Sequence, residues 1–304
     1  MRKICAIIVT YNRPELLCRC VKALLQQDTP VHVFIYDNHS RNRADEYLRS
    51  QELLPQNDEA ITYYYAEENT GGAGGFHNAL RMAEEMQFDE FILMDDDGFA
   101  INENTVSQLL LAREKVGDYA IVNSLVVCDP DTLQLSFSLN RSYDGKLAQS
   151  WAQDGLLEKF ISPFNGTMVS KEIVRKIGYP RKEFFVYGDE TEYTLRALKN
   201  GISLYTAVNS LYYHPTYIGM KKKFLGHTFT VSDIPMWKVY CSARNSTYYS
   251  KLYFGCFAVA KTILRLYLNV PLCPRHKLMR AKYITRGIWD GLCGNFSRKL
   301  DLSK

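Results

Sequence analysis

Residues 91–97 read FILMDDD, so that four apolar residues lead directly into three consecutive aspartates. The apolar run is typical of a buried β-strand, because a charge precedes it and Gly98 follows the acids. In a parallel sheet the carboxyl ends of the strands open onto the ligand crevice, and three carboxylates gathered there repel one another unless a cation balances them. Hard oxygen ligands suit Mg²⁺ and Mn²⁺. The stretch therefore predicts a divalent metal site for a phosphate-bearing substrate, against the alternative of a solvated turn that caps the next helix.

Three further apolar runs precede this strand and predict the rest of a sheet. Residues 4–9, 31–36 and 61–65 have the composition of strands, and polar stretches with helical spacing separate them. Pro14 suits the first turn of the helix that follows the first strand. Alternating β and α elements imply parallel strands joined by right-handed crossovers, with helices on both faces. We therefore predict the α/β fold class.

A glycine-rich stretch stands between the third and fourth predicted strands. Residues 69–76 read NTGGAGGF, and a helical pattern at 76–86 begins directly after the glycines. Glycines leave the backbone N–H groups unobstructed, and a helix N-terminus is a favourable place for an anion. The stretch matches neither the dinucleotide fingerprint nor the P-loop. It predicts a loop that lies against a phosphate-bearing ligand, and the alternative is a flexible linker.

The second half of the chain brings acids to another place, the start of a helix. Residues 184–196 read FFVYGDETEYTLR, an aromatic approach followed by Asp189 and Glu190. Acids in a first helical turn complement the helix dipole, which is the structural interpretation. The functional interpretation is a general base, because a carboxylate among aromatic and acidic neighbours can have its pKa raised toward the working pH.

The remaining segments of this half frame a cleft. The irregular, polar residues 129–160 are predicted to shape its acceptor side. His214 closes a later apolar strand, where its position alone favours a structural or capping role over that of a metal ligand. The regular elements predicted around them are a helix at 104–115, a strand at 119–127 and a helix at 171–177.

Charge is distributed unevenly along a chain whose net charge is only +4. Residues 221–304 contain 16 Lys and Arg against 3 Asp and Glu, a net of +13, and the first 220 residues have a net of −9. Such a basic segment predicts an anionic partner. The apolar stretch 252–270 contains Lys261 and Arg265, which disfavours a spanning helix. We expect either an amphipathic helix on an anionic membrane surface or a helical pair packed on the catalytic domain, and no nucleic-acid partner, because no recognition motif accompanies the charge.

The cysteines and the N-terminus bear on the location of the protein. The eight Cys are scattered and form no C-x-x-C pair, so that no zinc framework is expected. The chain enters a strand pattern within its first residues, and we expect no signal peptide. Scattered free thiols suit a reducing compartment. We predict a cytoplasmic protein that is peripheral at the inner face of the cell membrane.

Taken in order, these motifs resemble the family 2 glycosyltransferases with the GT-A fold. The resemblance covers about residues 3–250 and is carried by VTYNR at 9–13, DNHS at 37–40, NTGGAGGF at 69–76, DDD at 95–97, NG at 165–166, DETEYTLR at 189–196 and YH at 213–214. The glycine stretch followed by three aspartates resembles the galactofuranosyltransferase branch in particular. The resemblance implies a Rossmann-like, mostly parallel central sheet with helices on both faces and a helical C-terminal extension.

The resemblance also implies which residues hold the donor. Asp95, Asp97 and His214 would bind Mn²⁺ or Mg²⁺ on the diphosphate. The nucleotide-sugar donor, a UDP-sugar, would contact residues from four of the motifs: Thr10, Asn12, Arg13, Asp37, Asn69, Gly71, Gly72, Gly74, Gly75, Asp95 and Asp96.

A further set of residues is implied on the acceptor side. Phe164, Asn165 and Gly166 would bind the acceptor, with Phe164 at the position where the family often has Trp. Glu190 aligns with the catalytic base of the family, usually an aspartate, and Asp189 beside it is the alternative. The base would take the proton of the acceptor hydroxyl while that hydroxyl attacks the anomeric carbon from the face opposite the leaving group.

The function implied is a metal-dependent inverting transferase that moves galactofuranose onto a glycan or lipid-linked acceptor of the cell surface. The alternatives are a rhamnosyl- or galactosyltransferase of the same fold and, from another class, a non-catalytic nucleotide- or carbohydrate-binding protein. Residues 1–234 would form the catalytic domain, with the nucleotide-sugar half at about 1–127 and the acceptor half at about 128–234. Residues 235–304 would form a helical, basic, membrane-associating region, and the oligomeric state is left open.

Overall fold

The computed structural model describes residues 2–54, 60–162, 164–216, 220–224, 227–231, 233–298 and 300. The chain forms two compact units. The sheet unit comprises residues 1–182 and 193–216, and the helical unit comprises residues 183–192 and 217–304. The predicted functional division at residue 234 stays a prediction.

The strands and helices follow the sequence patterns closely at most positions. The strands are β1 (Ile4–Thr10), β2 (His32–Asp37), β3 (Ile61–Tyr65), β4 (Glu90–Asp95), β5 (Phe99–Ala100), β6 (Ala120–Asp129), β7 (Gln134–Leu139), β8 (Ser142–Asp144), β9 (Leu156–Glu158), β10 (Asn165–Ser170), β11 (Ser203–Tyr213), β12 (Met220–Phe224) and β13 (His227–Val231). The helices are α1 (Pro14–Leu25), α2 (Ala44–Ser50), α3 (Gly71–Glu85), α4 (Thr105–Val116), α5 (Gly145–Trp151), α6 (Lys171–Ile177), α7 (Asp189–Lys199), α8 (Met236–Leu268) and α9 (Lys277–Cys293), with a 3₁₀ turn at Lys182–Phe184.

The sheet of the first unit confirms the predicted α/β architecture. Its strands run in the order β3-β2-β1-β4-β10-β6-β11-β5, and β1, β2, β3 and β4 pair in parallel. Thr10 of β1 lies opposite Asp37 of β2, and Val9 lies opposite Asp95 of β4. The polar ends of these strands therefore share one edge of the sheet, because parallel strands end on the same side.

Alternating side chains of the buried strands separate the core into two layers. In β1, Ala6 and Ile8 pack with Leu17 and Val21 of α1, whereas Ile7 packs with Leu80 of α3 on the other face. Period-two alternation produces this division, and burial on both faces explains why β1 reads as an unbroken apolar run.

Two segments differ from the sequence predictions. The glycine stretch is not a loop before a helix, because α3 begins at Gly71 and includes the glycines in its first turns. The residues 129–160 are not irregular throughout, since they contain β7, β8, β9 and α5. Short hydrogen-bonded elements of three to seven residues have too little periodicity to be read from one sequence.

The helical unit is built on α8 and α9. Helix α8 is interrupted at Gly255, whose φ of 78° is not helical. Asp290 of α9 is buried and accepts hydrogen bonds from the Tyr240 hydroxyl (2.7 Å) and from Nε of Arg298 (2.6 Å), which ties both helices to the following segment. No helix among the described residues is both long and apolar enough to cross a membrane.

Candidate active site

The three aspartates after β4 have different surroundings. Asp96 is only 5% exposed, and its carboxylate accepts hydrogen bonds from the Thr10 hydroxyl (2.8 Å) and from Nη1 of Arg13 (3.2 Å). Burial raises the pKa of Asp96 although Arg13 and Thr10 act in the opposite direction. Asp96 therefore joins the end of β1 to the end of β4, while Asp95 and Asp97 remain half-buried.

Asp95, Asp97 and His214 form a cluster with the composition of a metal site. One ligand atom from each residue lies within 4.8 Å of the other two, and Nε2 of His214 is 3.3 Å from Oδ1 of Asp97. Nδ1 of His214 lies 2.8 Å from the carbonyl oxygen of Pro215, which can only accept, so Nδ1 carries the proton and Nε2 faces the carboxylates. Such a contact at the second ring nitrogen is the usual way in which a ligating histidine is oriented.

Charge coupling within the cluster shifts two pKa values in opposite directions. Burial opposes the charged form of His214, but the hydrogen bond and the charge of Asp97 outweigh it and raise the pKa of the imidazole. Burial likewise opposes ionisation of Asp97, and His214 and Arg13 outweigh it and lower the pKa of that carboxyl. Two carboxylates and an imidazole form a donor set that suits Mn²⁺ or Mg²⁺.

The first loop of the unit holds Asn12 and Arg13 at the same edge. Asn12 has a φ of 57°; its backbone N–H donates to Oγ of Ser40 (2.8 Å), and its side-chain oxygen accepts from the backbone N–H of Arg41 (2.8 Å). Arg13 reaches Asp97 (3.0 Å) as well as Asp96, and its side chain stays about half exposed. The guanidinium therefore lies beside the aspartates, and part of it remains accessible to a ligand.

Asp37 is buried and forms its hydrogen bonds within the protein. Its carboxylate is fully buried and accepts hydrogen bonds from the backbone N–H of Ser40 (2.8 Å), that of Ala44 (3.1 Å) and the hydroxyl of Tyr63 (2.6 Å). These donors stabilise the turn after β2, so that Asp37 shapes the loop that also holds Asn12.

The glycine stretch is anchored by two asparagines. Oδ1 of Asn69 accepts from the backbone N–H of Gly71 (2.8 Å), and Nδ2 of Asn38 donates to the carbonyl of Gly71 (2.9 Å). A Cβ at Gly75 would lie 2.5 Å from a methyl carbon of Val9, whereas a Cβ at Gly72 would meet nothing within 4 Å. Gly75, like Gly74 against Thr70, permits close packing, and Gly72 keeps an open surface at the start of α3.

The residues predicted to bind the acceptor lie in the core of the sheet unit. Phe164 is only 4% exposed and packs between Phe76 (4.8 Å between ring centroids) and Tyr193 (5.9 Å). Asn165 and Gly166 are buried, and the carbonyls of both accept from the amide of Asn123. The assignment of these three residues to the acceptor therefore stays a prediction, and the structure places them in a buried part of the unit.

The two acids at the start of α7 are distinguished by exposure. Asp189 is 6% exposed, whereas Glu190 is half-buried and lines a cavity of about 470 Å³. The cavity walls in the helical unit include Tyr187, Tyr249 and Arg265. Access to a cavity favours Glu190 over Asp189 as the residue that meets a substrate.

Two buried residues of α8 hold the chain that leads to Glu190. Nδ2 of Asn245 lies within hydrogen-bond distance of the carbonyls of Phe184 (3.0 Å), Val186 (3.0 Å) and Tyr187 (2.7 Å). The guanidinium of Arg244 donates to the carbonyls of Glu183 (3.0 Å) and Phe184 (2.9 Å). These residues were missed from the sequence because their partners are main-chain carbonyls, which have no signature of their own.

The chain is similar in sequence to known proteins over most of its length. The sequence model described as Glycosyl transferase family 2 matches residues 5–225. A protein named galactofuranosyltransferase GlfT1 from Mycolicibacterium smegmatis is 30% identical over 231 residues, which cover 73% of this chain and 74% of that protein. The galactofuranosyltransferase GlfT1 of Mycobacterium tuberculosis is 32% identical over 215 residues, which cover 69% of each.

Similarity to solved structures concerns the fold. The mannosyltransferase PcManGT from Pyrobaculum calidifontis, in complex with GDP-Man and Mn²⁺, has a TM-score of 0.57 at 14% identity, with 96% of this chain and 87% of that chain covered. The predicted GT-A architecture is thereby confirmed.

Proposed function

This chain belongs to glycosyl transferase family 2 and is a glycosyltransferase, and on that premise we propose that it transfers galactofuranose from UDP-galactofuranose in a metal-dependent, inverting reaction. The acceptor is a glycan or lipid-linked glycan. The observation that carries the proposal is the cluster of Asp95, Asp97 and His214 at the strand ends of a chain that is 30–32% identical to galactofuranosyltransferases.

The donor is assigned to the sheet unit. Asp95, Asp97 and His214 would hold Mn²⁺ or Mg²⁺, which when bound neutralises the charge that develops on the departing diphosphate. Arg13 keeps exposed guanidinium N–H groups beside these acids and is suited to a phosphate oxygen. Asp96 positions Arg13 and Thr10 for this role.

The other donor residues act through the shape of the loops. Asn12 and Asp37 order the turns on which the uracil and ribose would lie, and Asn69 orders the start of the glycine stretch. Gly71, Gly74 and Gly75 are buried and shape the start of α3, and Gly72 would offer the donor an open stretch of backbone.

Glu190 is the residue to which we assign the role of general base. A carboxylate that lines a cavity can accept the proton of an acceptor hydroxyl while the hydroxyl attacks the anomeric carbon and the UDP oxygen leaves. Attack opposite the leaving group inverts the anomeric configuration. No protein nucleophile is required, and we assign no covalent intermediate.

The test of the proposal is product analysis from a donor panel. UDP-galactofuranose, UDP-galactopyranose and dTDP-rhamnose are each incubated with Mn²⁺, the enzyme and a lipid-linked glycan acceptor, and the products are identified by mass spectrometry. We expect a hexose added only from UDP-galactofuranose. If only dTDP-rhamnose is consumed, dTDP-rhamnose and not UDP-galactofuranose is the donor. Tight UDP binding that does not depend on Mn²⁺ and gives no turnover would favour a non-catalytic binding protein.

We also propose that the helical unit contacts an anionic membrane. Residues 234–289 contain ten Lys and Arg and no Asp or Glu. Phe257 (85% exposed), Leu278 (89%) and Trp289 (67%) place large apolar side chains on the surface of the same unit. Exposed apolar residues among cations are typical of helices that lie in the interface of an anionic bilayer.

Vesicle sedimentation tests the membrane proposal. We expect the protein to co-sediment with phosphatidylglycerol-containing vesicles and not with neutral phosphatidylcholine vesicles, and the variant Phe257→Ser/Leu278→Ser to bind more weakly. The matched control is Leu111→Ser, which changes an exposed leucine of α4 in the sheet unit. Equal binding to both kinds of vesicle would contradict the electrostatic part, and an unaffected double variant would contradict the apolar part.

A further inference from the structure

The cavity that Glu190 lines in the helical unit has the dimensions of a small-molecule site. Its volume of about 470 Å³ lies within the range of ligand pockets. Besides Glu190, its walls include two aromatic rings, Tyr187 and Tyr249, and two hydroxyl groups, Ser242 and Ser246. Aromatic faces with a few polar groups can stack on and hydrogen-bond to a sugar.

Arg265 adds a positive charge to the wall of this cavity. Its guanidinium forms no hydrogen bond or ion pair with any residue that the structure describes, and its side chain is exposed. Two other arginines of the unit have internal partners, because Arg244 donates to backbone carbonyls and Arg298 pairs with Asp290. Arg265 is thus a cation beside the cavity whose N–H groups are available to a ligand.

Arg265 and Glu190 act on the same part of the cavity. The pKa of Tyr249 is raised by burial; the positive charge of Arg265 opposes this shift and the negative charge of Glu190 adds to it. Tyr249 thus lies within electrostatic range of both, at a position where its ring is close to Gly188. All three residues line the cavity, so that a ligand filling it would lie among a carboxylate, a phenol ring and a guanidinium.

We infer that this cavity binds the acceptor and that Arg265 recognises an oxyanion, a phosphate or a carboxylate, carried by the acceptor beside the sugar that is glycosylated. The inference rests on the proposed function, because it takes Glu190 as the residue that meets the acceptor hydroxyl. A guanidinium presents paired N–H donors that match the two oxygens of either anion. Arg265 is a specificity-determining residue in this assignment, since Glu190 and not Arg265 moves the proton.

Matched acceptors test the inference in a vesicle-free assay. One set consists of an alkyl glycoside that the enzyme accepts and the same glycoside with a phosphate or a carboxylate on its aglycone. We expect the charged forms to have a lower KM than the neutral form. In Arg265→Gln the KM for the charged acceptors should rise roughly tenfold, as for the loss of one charge-assisted contact, and the KM for the neutral acceptor should rise much less.

Two further variants separate charge from structure. Arg265→Lys should recover part of the affinity for the charged acceptors, because it keeps the charge and loses the paired donors. Arg286→Gln removes an exposed arginine of α9 that does not line the cavity, and it should leave the KM values unchanged. Equal effects of Arg265→Gln on charged and neutral acceptors, or no effect on either, would overturn the inference.

A binding measurement distinguishes failure of this inference from failure of the proposed function. NMR titrations of phenyl phosphate, phenylacetate and benzyl alcohol are made with UDP and Mn²⁺ saturating the donor site. The inference is supported if the wild-type protein binds either anion more tightly than the alcohol and Arg265→Gln does not. This holds even if no donor in the panel is consumed. Anion binding that is the same in wild type and Arg265→Gln, or absent in both, overturns it, whatever the transferase assays show.

Discussion

The acids at the end of β4 and those at the start of α7 follow similar stretches of sequence but are held in different ways. FILMDDD and FFVYGDE both deliver carboxylates from an apolar approach. After β4 the side chains themselves are held, because Asp96 binds Thr10 and Asp97 pairs with His214. Before α7 the main chain is held through the carbonyl contacts of Asn245, and Glu190 lines a cavity.

The difference matches the two roles that we propose for these acids, metal ligand and general base. Metal ligands must keep fixed distances from one another, so that each carboxylate needs a side-chain partner. A general base must reach a substrate that comes and goes, so that its backbone is positioned and its carboxylate stays accessible. The predictions that follow separate these two ways of holding an acid, in order of decreasing effect.

Replacement of Glu190, the proposed base, should have the largest effect. Glu190→Gln keeps the size of the side chain and removes its ability to accept a proton at working pH, and we expect kcat to fall by about 10²–10⁴-fold with UDP affinity unchanged. The rate of sugar transfer and calorimetric UDP titration measure this. The matched control Glu183→Gln, an exposed acid of the same segment, should retain near-normal turnover. Near-normal turnover of Glu190→Gln itself, with loss in Asp189→Asn, would move the base to Asp189.

A structural acid at the other end of β4 provides the contrast to both sites. Glu90 is fully buried and pairs with Arg113, which is also fully buried (3.2 Å). Arg113→Met should lower the free energy of unfolding by about 3–5 kcal/mol, because it removes the buried partner of a buried carboxylate and leaves only the partly exposed Arg2 beside it. Urea denaturation measures the loss. The control Arg81→Met removes an exposed pair with Glu85 and should cost less than about 0.5 kcal/mol. Equal losses in the two variants would mean that the burial of Glu90 is not maintained in solution.

Removal of the amide that holds the approach to α7 should affect both stability and catalysis. In Asn245→Ala the carbonyls of Phe184, Val186 and Tyr187 lose a buried donor, and we expect the free energy of unfolding to fall by about 2 kcal/mol. The turnover number of the folded variant should fall roughly tenfold, since the base is no longer fixed, with donor KM unchanged. Asn200→Ala, an exposed asparagine, is the control for both measurements. A loss of stability with normal kcat would limit Asn245 to a structural role.

The smallest effect concerns the protonation of His214 in the cluster of Asp95, Asp97 and His214 when no metal is bound. The pKa of His214 is raised because the charge of Asp97 outweighs burial. The ion pair therefore stabilises the fold below the ordinary histidine pKa of about 6.5, and this contribution is lost as the pH rises through the raised pKa. In Asp97→Asn the NMR titration midpoint of His214 should move down, and the loss of stability as the pH rises above about 6.5 should become smaller. An unchanged midpoint would show that Asp97 does not control the imidazole.

Much of the sheet unit could be predicted from sequence because its signals are local. The run at residues 61–65 and the helical pattern at 171–177 coincide with β3 and α6, since period and bounding residues are properties of short segments. The order of motifs predicted the family, which the comparisons confirm. The glycine stretch was predicted as a loop before a helix, whereas α3 begins at Gly71 and Gly75 packs closely on Val9, a contact that the sequence does not show.

The sequence by itself determined that carboxylates follow a buried strand and begin a helix, because the spacing of apolar residues and the positions of charges are read directly from it. Only the tertiary structure decided the surroundings of each carboxylate. Asp96 turned inward because parallel pairing of β1 with β4 brings Thr10 and Arg13 to it. Phe164 became core, and Asn245 became the support of the segment before Glu190. These assignments depend on strand register and on contacts with main-chain carbonyls, and neither is encoded in the identity of neighbouring residues.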